Sequence, residues 1–312
     1  MNKLKILFLE TRPHFLLLTP VCVFLGIAAA VYHGYFNPIH AVLVLVGSTF
    51  AHASVNVFND YYDYVRGTDL LTKRTPFSGG SGFLPAGIIK PKEALALAIA
   101  LLLSASIIGV YFIYSYPILL PIVLLGTFLI YAYTPLLTRV VITEIFPGLG
   151  FGLMVIGSYI TMLPPGSTIE HFTPIAVAVV AGILISNLLF LNEFPDYEAD
   201  AKTGRKHIVI ILGRKRASKV YVFLLALAYV WIVIMVALNL LPKITLLSLL
   251  TVPVAIKAGK GCLKYYDEVE KLIPSLAGNV IVTLITPTLL ALGLLIAYTL
   301  RFYGLFVLFF KT

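Results

Sequence analysis

Nine long apolar stretches separated by short polar breaks make up most of this chain. They run from His14 to Tyr35, Ile39 to Val65, Lys92 to Ser115, Pro117 to Leu137, Val141 to Leu163, Phe172 to Asn192, Ala217 to Leu240, Ile244 to Ala258 and Pro274 to Leu300. Most approach the ~20 residues a helix needs to cross the hydrocarbon core of a bilayer. None alternates apolar and polar residues with a period of two, so helices are the spanning structure left. The pattern predicts an all-α integral membrane protein with nine transmembrane helices in one domain over residues 1–312. Tyr116-Pro117 leaves room only for a tight turn between the third and fourth stretches, and the eighth is short. Lys3 and Lys5 ahead of the first stretch imitate a signal peptide. Glu10, Arg12 and Pro13 interrupt that pattern, however, and the apolar run is long, so it reads as a retained first span.

Composition agrees. The chain is 60% hydrophobic and 12% charged, against roughly half and a quarter in soluble domains. The net charge of +9 would suit nucleic acid only if the bases shared a soluble face; here they sit in short loops between spans, so nucleic acid is not an expected partner. Counting from an inward N-terminus, the N-terminal segment and the loops after the second, fourth, sixth and eighth spans hold 20 of the 23 Lys and Arg residues. Only Lys243, Arg301 and Lys311 fall on the other side. This asymmetry predicts N-inside and C-outside, beside anionic lipid of the cell membrane. Cys22 and Cys262 have neither metal spacing nor a disulfide framework and are expected to be packing residues.

The acidic residues carry the chemistry. Five of the six Asp fall in two stretches, Asn56 to Asp69 and Asn192 to Asp200, each closing an even-numbered span and so delivered to the cytoplasmic side. Asn56, Asp60 and Asp63 stand at i, i+4 and i+7 on one helical face, with Asp69 just beyond. Asn192, Asp196 and Asp200 stand at i, i+4 and i+8, although Pro195 is expected to kink or end that helix. A lone Asp in such a place is ordinarily a solvated helix end. Two similar clusters on one side instead predict facing oxygen ligands that would repel without cations, and Mg²⁺, completed by water and phosphate oxygens, fits them. The shared Asn-x-x-x-Asp would also suit two related halves, 1–140 and 141–312.

Arg66, Lys73 and Arg74 follow the first cluster, Lys202, Arg205 and Lys206 follow the second, and Arg139 ends the fourth span on the same side. Arg66, Lys73, Arg74, Arg139, Lys202 and Arg205 are the candidate diphosphate-binding residues, weighed against a purely topological role for each. Ser78 to Gly82 could offer backbone N–H groups to phosphate but lacks the ending of a P-loop. Tyr61, Tyr62, Tyr131 and Tyr133 could shield a carbocation with their ring faces. His52, one turn before Asn56, is expected to be a packed, hydrogen-bonded histidine. No zinc spacing appears among the six His.

These motifs resemble the UbiA superfamily of intramembrane prenyltransferases. Asn59-Asp60-Tyr-Tyr-Asp63 with Arg66-Gly67-Thr-Asp69 is most similar to the 1,4-dihydroxy-2-naphthoate polyprenyltransferase branch. Tyr133-Thr134-Pro135 with Glu144, and Asp196-x-x-x-Asp200-x-x-x-Gly204 running to Leu212-Gly213, point the same way. Thr138-Arg139 and Lys206-His207 depart from the usual Leu-Lys and basic-Thr pairs. The resemblance implies nine helices around a central cavity and Mg²⁺-dependent transfer of a polyprenyl group from its diphosphate to a lipophilic, aromatic acceptor in the membrane. Asp60, Asp63, Asp196 and Asp200 are then the catalytic candidates, and they serve with Asn56, Asp69 and Asn192 as metal ligands. Two other readings remain at this stage: an ether-lipid enzyme acting on a glyceryl phosphate, and a cation-coupled transporter with broken helices and buried carboxylates.

Overall fold

Each of the nine apolar stretches forms helix. The computed structural model describes residues 2–72 and 74–309, with side chains as far as residue 302. Lys73, one of the expected diphosphate-binding residues, lies outside the described residues. The elements are α1 (Lys3–Glu10), α2 (Leu18–Tyr32), α3 (Pro38–Val65), α4 (Thr68–Leu71), α5 (Pro91–Ser115), α6 (Leu120–Ala132), α7 (Ile145–Ile160), α8 (Thr173–Lys202), α9 (Ile208–Leu212), α10 (Arg214–Ala237), α11 (Val252–Tyr265) and α12 (Val269–Phe309). Short 3₁₀ turns lead into α2, α6 and α11.

Among the described residues, seven helices are long and apolar enough to cross a membrane. Two further apolar helices, Pro117–Ala132 and Ile145–Ile160, are shorter. Large apolar side chains stand exposed on their outer faces, Ile107 at 71% and Phe223 at 64% among them. Water would make such exposure costly, whereas lipid makes it neutral.

Local chemistry sets the ends. Asn37 caps α3 by accepting from the N–H groups of Ile39 and His40, with Pro38 at the first helical position. The Glu93 carboxylate accepts from the Lys90 N–H at the start of α5. The tight turn expected at Tyr116-Pro117 is present, and the buried Tyr116 hydroxyl donates to the Leu163 carbonyl at 2.7 Å.

Two boundaries differ from the simplest reading of the sequence. Pro195 does not end its helix: α8 runs on to Lys202 and carries Asp196 and Asp200 with it. Proline is tolerated inside buried membrane helices because neighbouring groups satisfy the freed backbone. The last helix starts at Val269 rather than Pro274, because Leu272 at its first turn is fully buried in the core.

The helices pack as a bundle in which α2 meets α7 and α12, α3 meets α5, and α8 meets α7, α10 and α12. Small residues allow the close approaches. A Cβ on Gly148 of α7 would sit 2.3 Å from the Gly182 carbonyl oxygen of α8, so those backbones touch. Asn187 donates to the Tyr221 carbonyl and Asn279 to the Asn187 carbonyl, tying α8 to α10 and α12.

Candidate active site

The C-terminal ends of α3 and α8 converge, and the arrangement begins with their helical registers. On α3, Val44, Gly47, Ala51, Val55, Asn56, Asn59 and Asp63 line one side of a cavity of about 420 Å³. From Val44 to Asp63 the rise is about 28 Å at ~1.5 Å per residue, close to the thickness of a hydrocarbon core. On α8, Leu188, Asn192, Asp196 and Asp200 face the same cavity. Its deeper walls are apolar or small, including Gly109, Leu119, Gly126, Gly150 and Phe151. The two acidic stretches of the sequence therefore meet at one end of one deep apolar cavity.

Arg205 stands between them. Gly204, at φ +80°, turns the chain after α8 so that the Arg205 N–H bonds to the Asp200 carbonyl. Its side chain pairs with Asp63 of α3 and lies 3.1 Å from Asp200 Oδ1. Burial alone would pull this guanidinium down, yet Asp63 and Asp200 hold its pKa well above the ordinary value.

Arg12 does the same for the other side of the site. It pairs with Asp60 and donates to Asn59 Oδ1 at 3.2 Å. It is one of two described non-glycine residues with positive φ, a conformation that costs about 1–3 kcal/mol and persists where surroundings over-determine it. Burial depresses its pKa, opposed by Asp69, Asp63 and Glu10. Asp69, on α4, is pushed up to about 6 by burial and by Asp63, with Arg12 opposing.

The Ser78–Gly82 loop closes the site from outside. The Ser81 N–H donates to Asp60 Oδ2 at 2.9 Å and its hydroxyl to Glu10 Oε2 at 2.7 Å. Gly80 has φ +69°, and a Cβ there would lie within 3.2 Å of Asp60, Asp69 and Arg12. Only glycine fits that cradle. Asp196 also meets Ser78.

The other predicted residues divide. Asn56 lines the cavity while its amide donates to the Thr11 carbonyl, leaving its oxygen available. Arg66 donates to the carbonyls of Thr134 and Pro135, and Arg74 to those of Gly80 and Ser81, so both bind loops. Arg139 and Lys202 are exposed at the same end and do not line the cavity. Of the four tyrosines, only Tyr133 lines it; Tyr61 and Tyr62 pack on each other, and Tyr131 is half exposed. His52 is buried and hydrogen-bonded to Thr19, as expected, and also lines the cavity.

The donor set suits a hard divalent cation. Asp69 Oδ2, Asn192 Oδ1 and Asp196 Oδ1 are buried without a hydrogen-bond partner. Buried oxygens left unsatisfied cost about 1–3 kcal/mol each, and Mg²⁺ takes carboxylate and amide oxygens of this kind.

Reading of the sequence gave no site role to Arg12, Asn59, Glu10 or the buried trio Glu144, Glu193 and His207, although Asn59 and Glu144 stand in the motifs that carry the resemblance. Arg12 looked like one more topological base, and Asn59, one turn before Asp63 and bonded to it, was passed over for the neighbouring Asp60. Glu144 lies about 50 residues from Glu193 in sequence, and only folding joins them.

Residues 18–273 match the UbiA prenyltransferase family. Over 299 residues the chain is 28% identical to the 1,4-dihydroxy-2-naphthoate octaprenyltransferase of Bacillus subtilis, covering 94% of this chain and 93% of that protein. The Escherichia coli protein of the same name is 25% identical over 303 residues, covering 92% and 94%. Among solved structures, a UbiA homologue from Aeropyrum pernix superposes with a TM-score of 0.69 at 18% identity, covering 89% of this chain and 97% of that chain. A homologue from Archaeoglobus fulgidus bound to DMAPP and Mg²⁺ gives 0.59 at 20% identity, covering 92% and 97%. At these identities the structural likeness bears on the fold.

Proposed function

This chain belongs to the UbiA prenyltransferase family, and from that premise we propose that it moves a polyprenyl group from its diphosphate to an electron-rich aromatic acceptor of the dihydroxynaphthoate kind. It is thereby an alkyl-transferring enzyme with a place in menaquinone-type quinone synthesis. The observation that carries the reading is the meeting of both acidic stretches around Arg205 at the end of one deep apolar cavity.

Asn56, Asp60, Asp63, Asp69, Asn192, Asp196 and Asp200 would hold Mg²⁺, which when bound supplies positive charge to the departing diphosphate. Arg12 and Arg205 fix the carboxylates in register before substrate arrives, so little reorganisation is left for the reaction. Arg66 and Arg74 brace the loops around the diphosphate, while Arg139 and Lys202 add positive potential at the mouth. The prenyl chain lies along the small and apolar wall beneath, and that wall keeps water from the allylic cation. Tyr133 turns a ring toward this region and stabilises positive charge there. As the bond from the prenyl C1 to the diphosphate oxygen breaks, the acceptor ring carbon bonds to C1 and releases the proton or carboxyl group it carried, which restores the aromatic ring.

We further propose nine spans with the N-terminus and this site on the cytoplasmic side of the cell membrane, which the placement of 20 of 23 bases supports. The test offers dihydroxynaphthoate, hydroxybenzoate and geranylgeranylglyceryl phosphate separately with geranylgeranyl diphosphate and Mg²⁺, and weighs the products. A prenylated naphthalene product is expected. Prenylation of the glyceryl phosphate alone would overturn the acceptor assignment.

A further inference from the structure

Behind the second acidic stretch lies a cluster that the transfer reaction does not use. We propose that Glu144, Glu193 and His207 form a separate divalent-cation site, suited to zinc, in the wall of the cavity. The proposal goes beyond prenyl transfer and does not depend on it.

The three residues come from three places: the turn ahead of α7, the body of α8 and the residue preceding α9. Each is more than nine-tenths buried, at 4%, 6% and 1% exposure. Each offers one ligand atom, and these atoms lie within 4.8 Å of one another. Glu144 Oε2, Glu193 Oε2 and His207 Nδ1 are buried with no hydrogen-bond partner outside the trio, and the two carboxyl groups face each other. No lysine or arginine among the described residues pairs with either glutamate; the nearby Arg205 is engaged by Asp63 and Asp200. Two buried carboxylates with no lysine or arginine paired to them repel each other, Arg205 offsetting this only in part, and a cation between them removes that cost.

The geometry favours a metal over a simple ion pair. Glu193 Oε2 and His207 Nδ1 face each other at 3.4 Å, too long for a good hydrogen bond. Ligands bonded to zinc at roughly 2.0–2.2 Å in a tetrahedron stand about 3.4 Å apart. The other carboxylate is already anchored, since Glu144 Oε1 accepts the Ile208 N–H at 2.8 Å, leaving Oε2 pointing inward. The far side of the imidazole matters as much. His207 Nε2 lies 3.2 Å from Asp200 Oδ2, so a ring bound through Nδ1 donates its remaining N–H to a carboxylate, as metal-bound histidines commonly do. One imidazole and two carboxylates suit Zn²⁺, Co²⁺ or Mn²⁺ better than Mg²⁺. Glu193 and His207 both line the cavity, which leaves an open position toward it. The ion would lock the loop that carries Arg205 and fix the orientation of Asp200.

The test uses full-length protein in detergent, loaded with Zn²⁺, dialysed against excess Mg²⁺ and assayed for zinc by mass spectrometry, with no turnover required. Wild type is expected to retain about one equivalent, Asp60→Asn the same, and Glu193→Gln and His207→Asn at least about 10-fold less. Cobalt loaded into wild type should give a visible four-coordinate spectrum that zinc abolishes, a readout independent of how well the variants fold. Loss of zinc from wild type on Mg²⁺ dialysis overturns the proposal. So does retention by Glu193→Gln, or loss in Asp60→Asn, which would assign the ion to the diphosphate site.

Discussion

Arg205, in the loop after α8, pairs with Asp63 at the end of α3, joining residues that lie 142 apart in sequence. The same guanidinium reaches Asp200, so one cation holds the two halves of the site together. Breaking a buried pair leaves uncompensated charge and typically costs about 3–5 kcal/mol. Arg205→Ala should therefore lower Tm sharply in EDTA, and Mg²⁺ should restore much of the loss by neutralising the same carboxylates. Thermal unfolding with and without Mg²⁺ checks this; an equal drop in both conditions would assign Arg205 a purely structural role.

The carboxylates separate by location. Asp60→Ala, Asp63→Ala, Asp196→Ala and Asp200→Ala should each cut turnover at least about 10²-fold, the scale of losing one transition-state charge contact. Asp267, exposed and paired with Arg214, and Glu268, paired with Lys271, should tolerate Ala with little change. Comparable losses in both groups, measured as kcat/KM on folded protein, would point to general electrostatic damage.

How much of this was legible in the sequence follows from the range of each interaction. Helix positions and the stripes Asn56-Asp60-Asp63 and Asn192-Asp196-Asp200 depend on periodicity, which a chain displays locally; that Asp60 turns to Arg12 and Ser81 while Asn59 lines the cavity does not. At Pro195 local rules allow a kink or an end, and packing in the bundle decides against the end by carrying α8 onward. Arg12, and the pairing of Glu144 with Glu193 and His207, depend on contacts between distant segments that no local pattern encodes. Arg66 and Arg74 looked like phosphate ligands by charge alone; their backbone carbonyl partners appear only in three dimensions.

The glycine loop offers a test of rigidity. Gly82 has φ +75°, and a Cβ there would fall 2.0 Å from the Arg74 guanidinium. Gly82→Ala strains the backbone at this positive φ and displaces the Arg74 guanidinium from the Gly80 and Ser81 carbonyls, loosening the loop that gives Ser81 to Asp60. Turnover should fall while Tm moves little, because the loop lies outside the bundle core. Unchanged kcat/KM would show that the loop does not shape the site.

Proton linkage gives a pH prediction. Asp69 is pushed from 3.8 up to about 6 in the folded protein, so the folded state binds a proton across that window that the unfolded chain has released. Its contribution to stability is therefore lost as pH rises from about 4 to about 6. Mg²⁺ needs the ionised form, so apparent Mg²⁺ affinity should climb as pH rises through about 6 and then level off. Calorimetric titration from pH 5 to 8, with Asp69→Asn as the flattened control, reads it directly.

Orientation is checked by labelling. The native thiols Cys22 and Cys262 are buried, so single cysteines at Ser78, Thr203 and Ser167 report cleanly. Positions 78 and 203 should label from the cytoplasmic side and 167 from outside.

The central claim is that the acidic ends of α3 and α8 act as one site. A double-mutant cycle with Asp63→Asn and Asp196→Asn, read as Mg²⁺-dependent prenyl transfer, tests it most directly. Groups that act as a unit give strongly non-additive losses, so the double variant should be no worse than about the more damaging single one. If the two losses instead multiply, the clusters work independently and the single-site account is wrong.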